Sequence, residues 1–323
     1  MLTGIILAQA LTLAVSGPTS SLEYLPLRVA DAEGYFAKEG LTVTLRTTRA
    51  EPGGAEALTQ GQAELAATSL EAMLRFGPRT AKQAPRLVLG LTAAPPVALL
   101  VSDTQKDLVR SLTDLPGTRV GLTAPGAPEQ AWLVWLLARA GLSLAQLSLV
   151  SRGERGLVQA VETGEVHAAL VREPSASRLL GTGQAQMLVD LRTAAAVQQA
   201  LGVGTVNAGV FMRADRPLRD RDLAAFTRAV LAAEQRIATA AASALAERLP
   251  TSITVPPDEF EARLAACRAL YLPDGVVTLE QVRQTLMLIR GHVPLPVTAR
   301  VPKPEELLYT PSRRALTPPA AAR

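Results

Sequence analysis

Two segments decide the reading of this chain. They are Ala57-Leu58-Thr59-Gln60-Gly61-Gln62-Ala63-Glu64-Leu65-Ala66-Ala67 and Ala160-Val161-Glu162-Thr163-Gly164-Glu165-Val166-His167-Ala168-Ala169-Leu170. Each runs from the end of a helix through a glycine stop (Gly61 or Gly164) and a polar step into a short apolar strand. Glu64 and His167 fall in the same slot. A helix-to-strand step that recurs in this way points to two similar α/β lobes.

Outward from these steps, short apolar strands alternate with helical stretches. The first lobe reads as strands at Leu11–Ser16, Leu41–Arg46, Leu65–Ala67, Leu87–Leu91 and Val97–Val101. Glu23–Phe36 has helical spacing with an early interruption at Pro26, and Gly53-Gly54 opens another helix. The second lobe repeats the plan with strands at Arg119–Thr123, Leu147–Val150 and Val166–Val171 and helices at Ala127–Ala140 and Gly156–Thr163. Val206–Met212 reads as a strand returning to the first lobe. Helices follow at Leu218–Ala246, Pro257–Leu270 and Leu279–Ile289, with Asp258 and Thr278 as expected N-caps. The expected division is 11–100 with 207–310 for lobe 1 and 101–206 for lobe 2, hinged near Val101 and Val206. Residues 311–323, rich in Pro and Ala, read as a disordered tail. Residues 1–10 read as a truncated signal peptide: short, apolar, ending in Ala8-Gln9-Ala10, and without a basic start.

Composition narrows the function. The chain has 323 residues, 48% apolar, 19% charged and only 3% aromatic, enough for two lobes with full cores. A single cysteine, Cys267, excludes an internal disulfide framework, and two distant histidines, His167 and His292, give no metal cluster. No apolar run has the ~20 residues of a membrane span. Three of the four net positive charges are carried by Arg313, Arg314 and Arg323 in the tail, and aromatics are too few for stacking bases. Nucleic acid is therefore not an expected partner. Phosphate-loop, zinc-protease and nucleophile-elbow motifs are absent. Cys267 reads as packing, His167 as a capping or turn residue, and no cofactor is expected.

Small and polar residues cluster where the strands end: Ser16-Gly17-Pro18, Gly53-Gly54, Thr68-Ser69, Ala93-Ala94, Ala124–Pro128 and Arg172-Glu173. In parallel sheets, ligands sit beyond the carboxyl ends of strands, where helix starts offer free N–H groups. Two lobes would bring two such edges face to face around a small ligand. No acidic pair suggests an amine and no aromatic cage suggests a quaternary ammonium. Helix starts and Arg172 favour an anion, and pyrimidines remain open.

Leu27-Arg28-Val29-Ala30-Asp31-Ala32-Glu33-Gly34-Tyr35-Phe36-Ala37-Lys38-Glu39-Gly40-Leu41-Thr42-Val43 resembles the A-x-x-x-G-Y-F-x-x-E-G-L-x-V signature of periplasmic substrate-binding proteins of ABC transporters, in the nitrate/sulfonate/taurine and THI5/NMT1-like group. Ala57–Ala66, Leu112–Gly121 and Gly164–Ala169 with Glu173-Pro174 resemble later motifs of that group in the right order. The resemblance spans about residues 11–290. It departs where Glu64 and His167 replace the usual aspartates, and where ligand-loop positions are small rather than aromatic. It implies a type II periplasmic-binding-protein fold, α/β, with two Rossmann-like lobes joined by a two-crossover hinge and a helical C-terminal part. Carried over, the ligand-binding positions are Ser16, Gly17, Gly53, Gly54, Thr68, Ser69, Ala94, Ala127 and Glu173. Arg172 is added on charge alone. The implied function is capture of a small polar or anionic solute (sulfonate, nitrate, carboxylate or pyrimidine-like) and delivery to ABC permease subunits. The protein would act outside the cytoplasm, as a monomer and without turnover. An enzyme on the same fold, pyrimidine-synthase-like or chorismate-dehydratase-like, and a cytoplasmic ligand sensor are the alternatives.

Overall fold

The structure, a computed structural model, describes residues 10–310 except 49, 125–127 and 255. The expected leader and tail therefore lie outside the described residues, save Ala10, which opens the first strand.

Ten strands form two five-stranded sheets: β1 (Ala10–Val15), β2 (Thr42–Thr47), β3 (Leu65–Ser69), β4 (Pro85–Thr92), β5 (Val97–Ser102), β6 (Arg119–Leu122), β7 (Ser148–Ser151), β8 (Ala168–Arg172), β9 (Ala185–Asp190) and β10 (Ala208–Arg213). The orders are β2-β1-β3-β10-β4 and β7-β6-β8-β5-β9. In each sheet the first three strands are parallel, and the fourth, antiparallel to both neighbours, arrives from the other lobe. The central strands β3, β5 and β10 are buried along their whole length, which is why they read as continuous apolar or small-residue runs rather than alternating ones.

The recurring step does the same work in both lobes. Thr12 N donates to Glu64 Oε2 (2.7 Å) while Glu64 N donates to Thr12 O (3.1 Å). In the second lobe Arg119 N donates to His167 Nδ1 (3.2 Å) and His167 N donates to Arg119 O (2.9 Å). Each side chain takes up a strand-start N–H that the ladder leaves open. His167 is thus a capping residue, as expected: it lies in the bend just before β8 and takes up the N–H that opens β6. Its acceptor role requires an unprotonated Nδ1, and partial burial with Arg119 nearby holds its pKa below the ordinary value.

Other boundaries shift for physical reasons. The expected 23–36 helix is a 3-10 turn Leu22–Tyr24, a helix Leu25–Ala32 with Pro26 in its first turn, and a short helix Tyr35–Lys38. The break falls at Gly34 (φ +68°), not at Pro26, because proline is tolerated in a first turn. Val97–Ser102 pairs with β8 and β9, so the sheets divide at Ala93–Pro96 and not at residue 100. Pro95-Pro96 donates no ladder hydrogen bonds and keeps β4, which ends at Thr92, separate from β5. The return crossover runs from Leu191 to Asn207, and Val206 N donates to Thr285 Oγ1 (2.9 Å) on the helix Leu279–His292. Thr278 caps that helix with a reciprocal Gln281 bond, whereas Asp258 lies inside its helix and Pro256 precedes it. The long expected helix 218–246 is Asp220–Thr239 plus Ala242–Ala246.

One core cluster joins the first sheet to the helix Asp220–Thr239, with Phe36 stacked on Phe226 at 5.4 Å. A second runs across the hinge side, from Met73 and Phe211 through Leu99, Leu122 and Trp132 to Leu286 and Ile289.

Glu234 interrupts the first cluster. It is 7% exposed on the buried face of Asp220–Thr239, neither carboxyl oxygen has a partner among the described residues, and burial, with Asp274 second, pushes its pKa up to about 8. A raised carboxyl pKa stabilises the fold fully below about pH 4.5, and that contribution is lost as pH rises through about 8. Glu234→Gln should melt close to wild type at pH 5 and several degrees above it at pH 9, by circular dichroism. Equal melting temperatures at pH 9 would show that Glu234 is not a buried, unpaired acid.

Candidate functional site

The carboxyl ends of both parallel sets face a cleft of about 1160 Å³ between the lobes. The first lobe contributes Pro18, Ser20, Ser21 and Leu22, the second Glu154, Arg155, Arg172 and Glu173. A second void of about 30 Å³ shares Arg172 with the first and is lined by Glu23, Tyr24, Glu51, Ser69, Glu129, Trp132 and Asn207, among others. It has room for about one water or one small polar head group.

Arg172, at the end of β8, sends its Nη2 across the cleft to Glu23 Oε1 (2.6 Å). Glu23 foremost, with Glu129 and Glu51 adding, holds that guanidinium charged, above even its ordinary pKa. Glu51 stands just ahead of the helix Pro52–Thr59. Its Oε1 accepts from Ser69 N (2.9 Å) and Tyr24 Oη (2.8 Å). Burial, then the Glu23 charge, raises the Glu51 pKa, and burial followed by Glu51 raises Tyr24. Glu129, in the first turn of Pro128–Arg139, accepts from Thr123 N and Thr123 Oγ1.

Of the sequence-derived positions, Ser69 and Arg172 line the small void and Arg172 and Glu173 the large cleft. Ser69 Oγ is occupied as the cap of Leu70–Phe76, accepting from Ala72 N (3.1 Å). Glu173 is held by Ser177 Oγ (2.8 Å) and Arg192 Nη1 (2.7 Å). Ser16, Gly17, Gly53, Gly54, Thr68 and Ala94 line neither cavity. They shape the wall instead. Ser16 Oγ donates to Glu51 O (2.7 Å) and accepts from Gly54 N (3.2 Å), and Thr68 Oγ1 donates to Glu51 O (3.2 Å). A Cβ on Gly54 would lie 2.5 Å from Ser16 Oγ, and one on Gly53 2.5 Å from Thr48 Cβ. Those glycines admit neighbouring strand ends rather than a ligand. Gly17 takes φ +72° and Ala94 is packed in the hinge core. Ala127 lies outside the described residues.

Both supports of an anionic ligand are therefore engaged. Arg172 is paired with Glu23, and the Ser69 N–H at a helix start holds the Glu51 carboxylate. The acidic residues that do this escape sequence reasoning because each is ordinary locally. Glu23 and Glu129 sit at the start of the first helix of each lobe, where acids suit the helix dipole. Glu51 merely precedes a proline. Glu23 and Glu129 share one legible signal, their position after the first parallel strand of a lobe; Glu51, after β2, has none. Among the described residues no His, Cys, Asp and Glu group is placed to hold a metal ion, and no helix is long and apolar enough to cross a membrane.

The comparisons with known proteins agree with this architecture. The family profile described as NMT1/THI5 like matches residues 21–236. No curated protein sequence matches the chain. A solved structure from Bordetella bronchiseptica RB50 is 26% identical with a TM-score of 0.72, covering 95% of this chain and 96% of that one. The alkanesulfonate-binding protein SsuA of Xanthomonas axonopodis pv. citri, bound to MOPS, is 18% identical with a TM-score of 0.66, covering 93% and 98%. The periplasmic nitrate-binding protein NrtA of Synechocystis PCC 6803 is 16% identical with a TM-score of 0.54, covering 80% and 69%. The fold is that of periplasmic binding proteins.

Arg172→Met should destabilise the protein by about 2–4 kcal/mol, since it leaves three carboxylates without their cation while the site keeps some water contact. Glu23→Gln in the Arg172→Met background should recover part of that loss. Urea unfolding of the two single variants and the double variant measures the coupling. Strict additivity would mean that the pair contributes no interaction energy.

Proposed function

The chain belongs to the NMT1/THI5-like family, and from that premise we propose that it is the extracytoplasmic solute-binding component of an ABC importer. It captures a small polar solute between its lobes and hands it to permease subunits. The observation that carries this reading is the cleft itself, lined from both lobes of one chain and placed beyond the carboxyl ends of both parallel strand sets. Sites of this geometry bind by closing on the ligand, with the closed state stabilised by contacts to both lobes. The crossovers at 93–96 and 191–207 are the proposed hinge, the lobes being 10–92 with 208–310 and 97–190. A cleft lined from both lobes of one chain also favours a working monomer.

Ser69, Arg172 and Glu173 are the proposed contact positions. Ser16, Gly17, Gly53, Gly54, Thr68 and Ala94 support the wall, and Ala127 is assigned to the second lobe's helix start on the sequence resemblance alone. A binding role is favoured over catalysis because neither histidine lines either cavity. His167 is committed to Arg119 at the far end of β8, and His292 ends the helix Leu279–His292. The proteins named in the comparisons also include sulfonate and nitrate binders.

Protein unfolded in guanidinium, dialysed and refolded loses any carried-over solute. Adding back the small-molecule fraction released on unfolding should raise its melting temperature. At about 100 times Kd, binding adds roughly 2.7 kcal/mol, or about 4 °C for a chain of 323 residues. An unchanged melt, or chemical conversion of the added compound, would count against a binding protein. Recovery of the native protein from the cytoplasm alone would count against an importer.

A further inference from the structure

We propose that the solute bears a protonated amine or amidine, and that Glu23, Glu51 and Glu129 receive this cationic head at the deep end of the cleft beside Trp132. The proposal rests on the solute-binding reading above and specifies its ligand.

The charge balance comes first. Three carboxylates face the 30 Å³ void and one guanidinium answers them. Charges withdrawn from water must be paired to be tolerated. Arg172 makes its hydrogen bond to Glu23 Oε1. Glu23 Oε2 has no partner among the described residues, although Glu23 is only 8% exposed and lines the void. It is an acceptor open to a donor that the described residues do not supply.

The occupancy of the helix start points the same way. The Ser69 N–H, at the carboxyl end of β3, is a donor on the first lobe's side of the void. Glu51 Oε1 already takes it at 2.9 Å and is braced by Tyr24 Oη. An anion entering here would have to displace a carboxylate and sit beside two more, each repelling it strongly in a water-poor site. An N–H-bearing cation meets the opposite conditions. It donates to the orphan Glu23 oxygen, offsets the surplus negative charge, and lies beside the indole of Trp132, whose ring attracts cations. An organic cation fits better than a metal ion, because the described acidic residues are not placed as a coordination shell. The void has room for one head group and shares Arg172 with the larger cleft, so the rest of the solute would lie on the cleft side of that residue.

The test uses refolded, ligand-free full chain in thermal-shift and calorimetric titrations at constant ionic strength. The cationic probes are putrescine, agmatine and benzamidine, and the anionic ones are butanesulfonate, nitrate and benzoate. At least one cationic probe should raise the melting temperature. Glu51→Gln and Glu23→Gln should each weaken its binding roughly ten- to hundredfold, the usual size of a hydrogen bond to a charged group. Glu51→Gln keeps an amide oxygen at that position for Ser69 and Tyr24, so the variant should fold, and circular dichroism checks both. A shift from anionic probes alone overturns this proposal and leaves the solute-binding reading standing. A cationic shift that survives both substitutions overturns the assigned location. No shift from either series, with refolding verified, overturns the proposal, while the add-back of released solute still judges the binding role separately.

Discussion

The ion pair from Arg172 to Glu23 reaches across the cleft at 2.6 Å, and the character of the whole site depends on it. It ties the end of β8 in one lobe to the turn that follows β1 in the other. Without it, Glu23, Glu51 and Glu129 would share a poorly hydrated space with no positive charge. With it, one guanidinium is spread over three carboxylates, so burial and mutual repulsion persist and are expressed as the raised pKa of Glu51. The cleft is thereby electrostatically poised: closed by a charge pair, yet negative beyond what that pair neutralises.

The wall behind the pair shows why small residues gather at strand ends. Gly54 is small so that Ser16 can reach its N–H and so that the helix Pro52–Thr59 can lie against the end of β3. Ser16 and Thr68 then fix the Glu51 backbone carbonyl, and the Glu51 side chain is aimed at Ser69. Residues that suggest ligand contact in a linear reading act one layer back, positioning the carboxylate that faces the void. Burial of the polar atoms is tolerated because each of these bonds is made.

The fold supplies the frame through an exchange of strands. β10 fills the fourth place in the first sheet and β5 the fourth place in the second, and the two crossovers meet where Thr205 Oγ1 donates to Ala93 O (2.7 Å). The apolar cluster running from Met73 to Ile289 keeps that side packed, while the opposite side opens as the cleft. A ligand between two lobes hinged in this way contacts both, and its binding energy is available to hold them together.

Much of this was legible in the linear sequence. Period-two and continuous apolar runs, glycine stops and the Gly61/Gly164 recurrence establish two α/β lobes, because local periodicity and chain stiffness are properties of near neighbours. The strand β5 was legible as a strand but not as a member of the second sheet, since hydrogen-bond partners are chosen by topology and not by the run itself. His167 in the slot of Glu64 was visible. That both accept a strand-start N–H was not, because that bond closes over residues far apart in the chain. The site was the least legible part. Glu23, Glu51 and Glu129 each look like a routine acid near a helix start, and Arg172 looks like a free anion partner. Only the tertiary structure converges them on one void and commits the arginine to Glu23, because charge interactions depend on separation in space and on lost water, neither of which is written in sequence order.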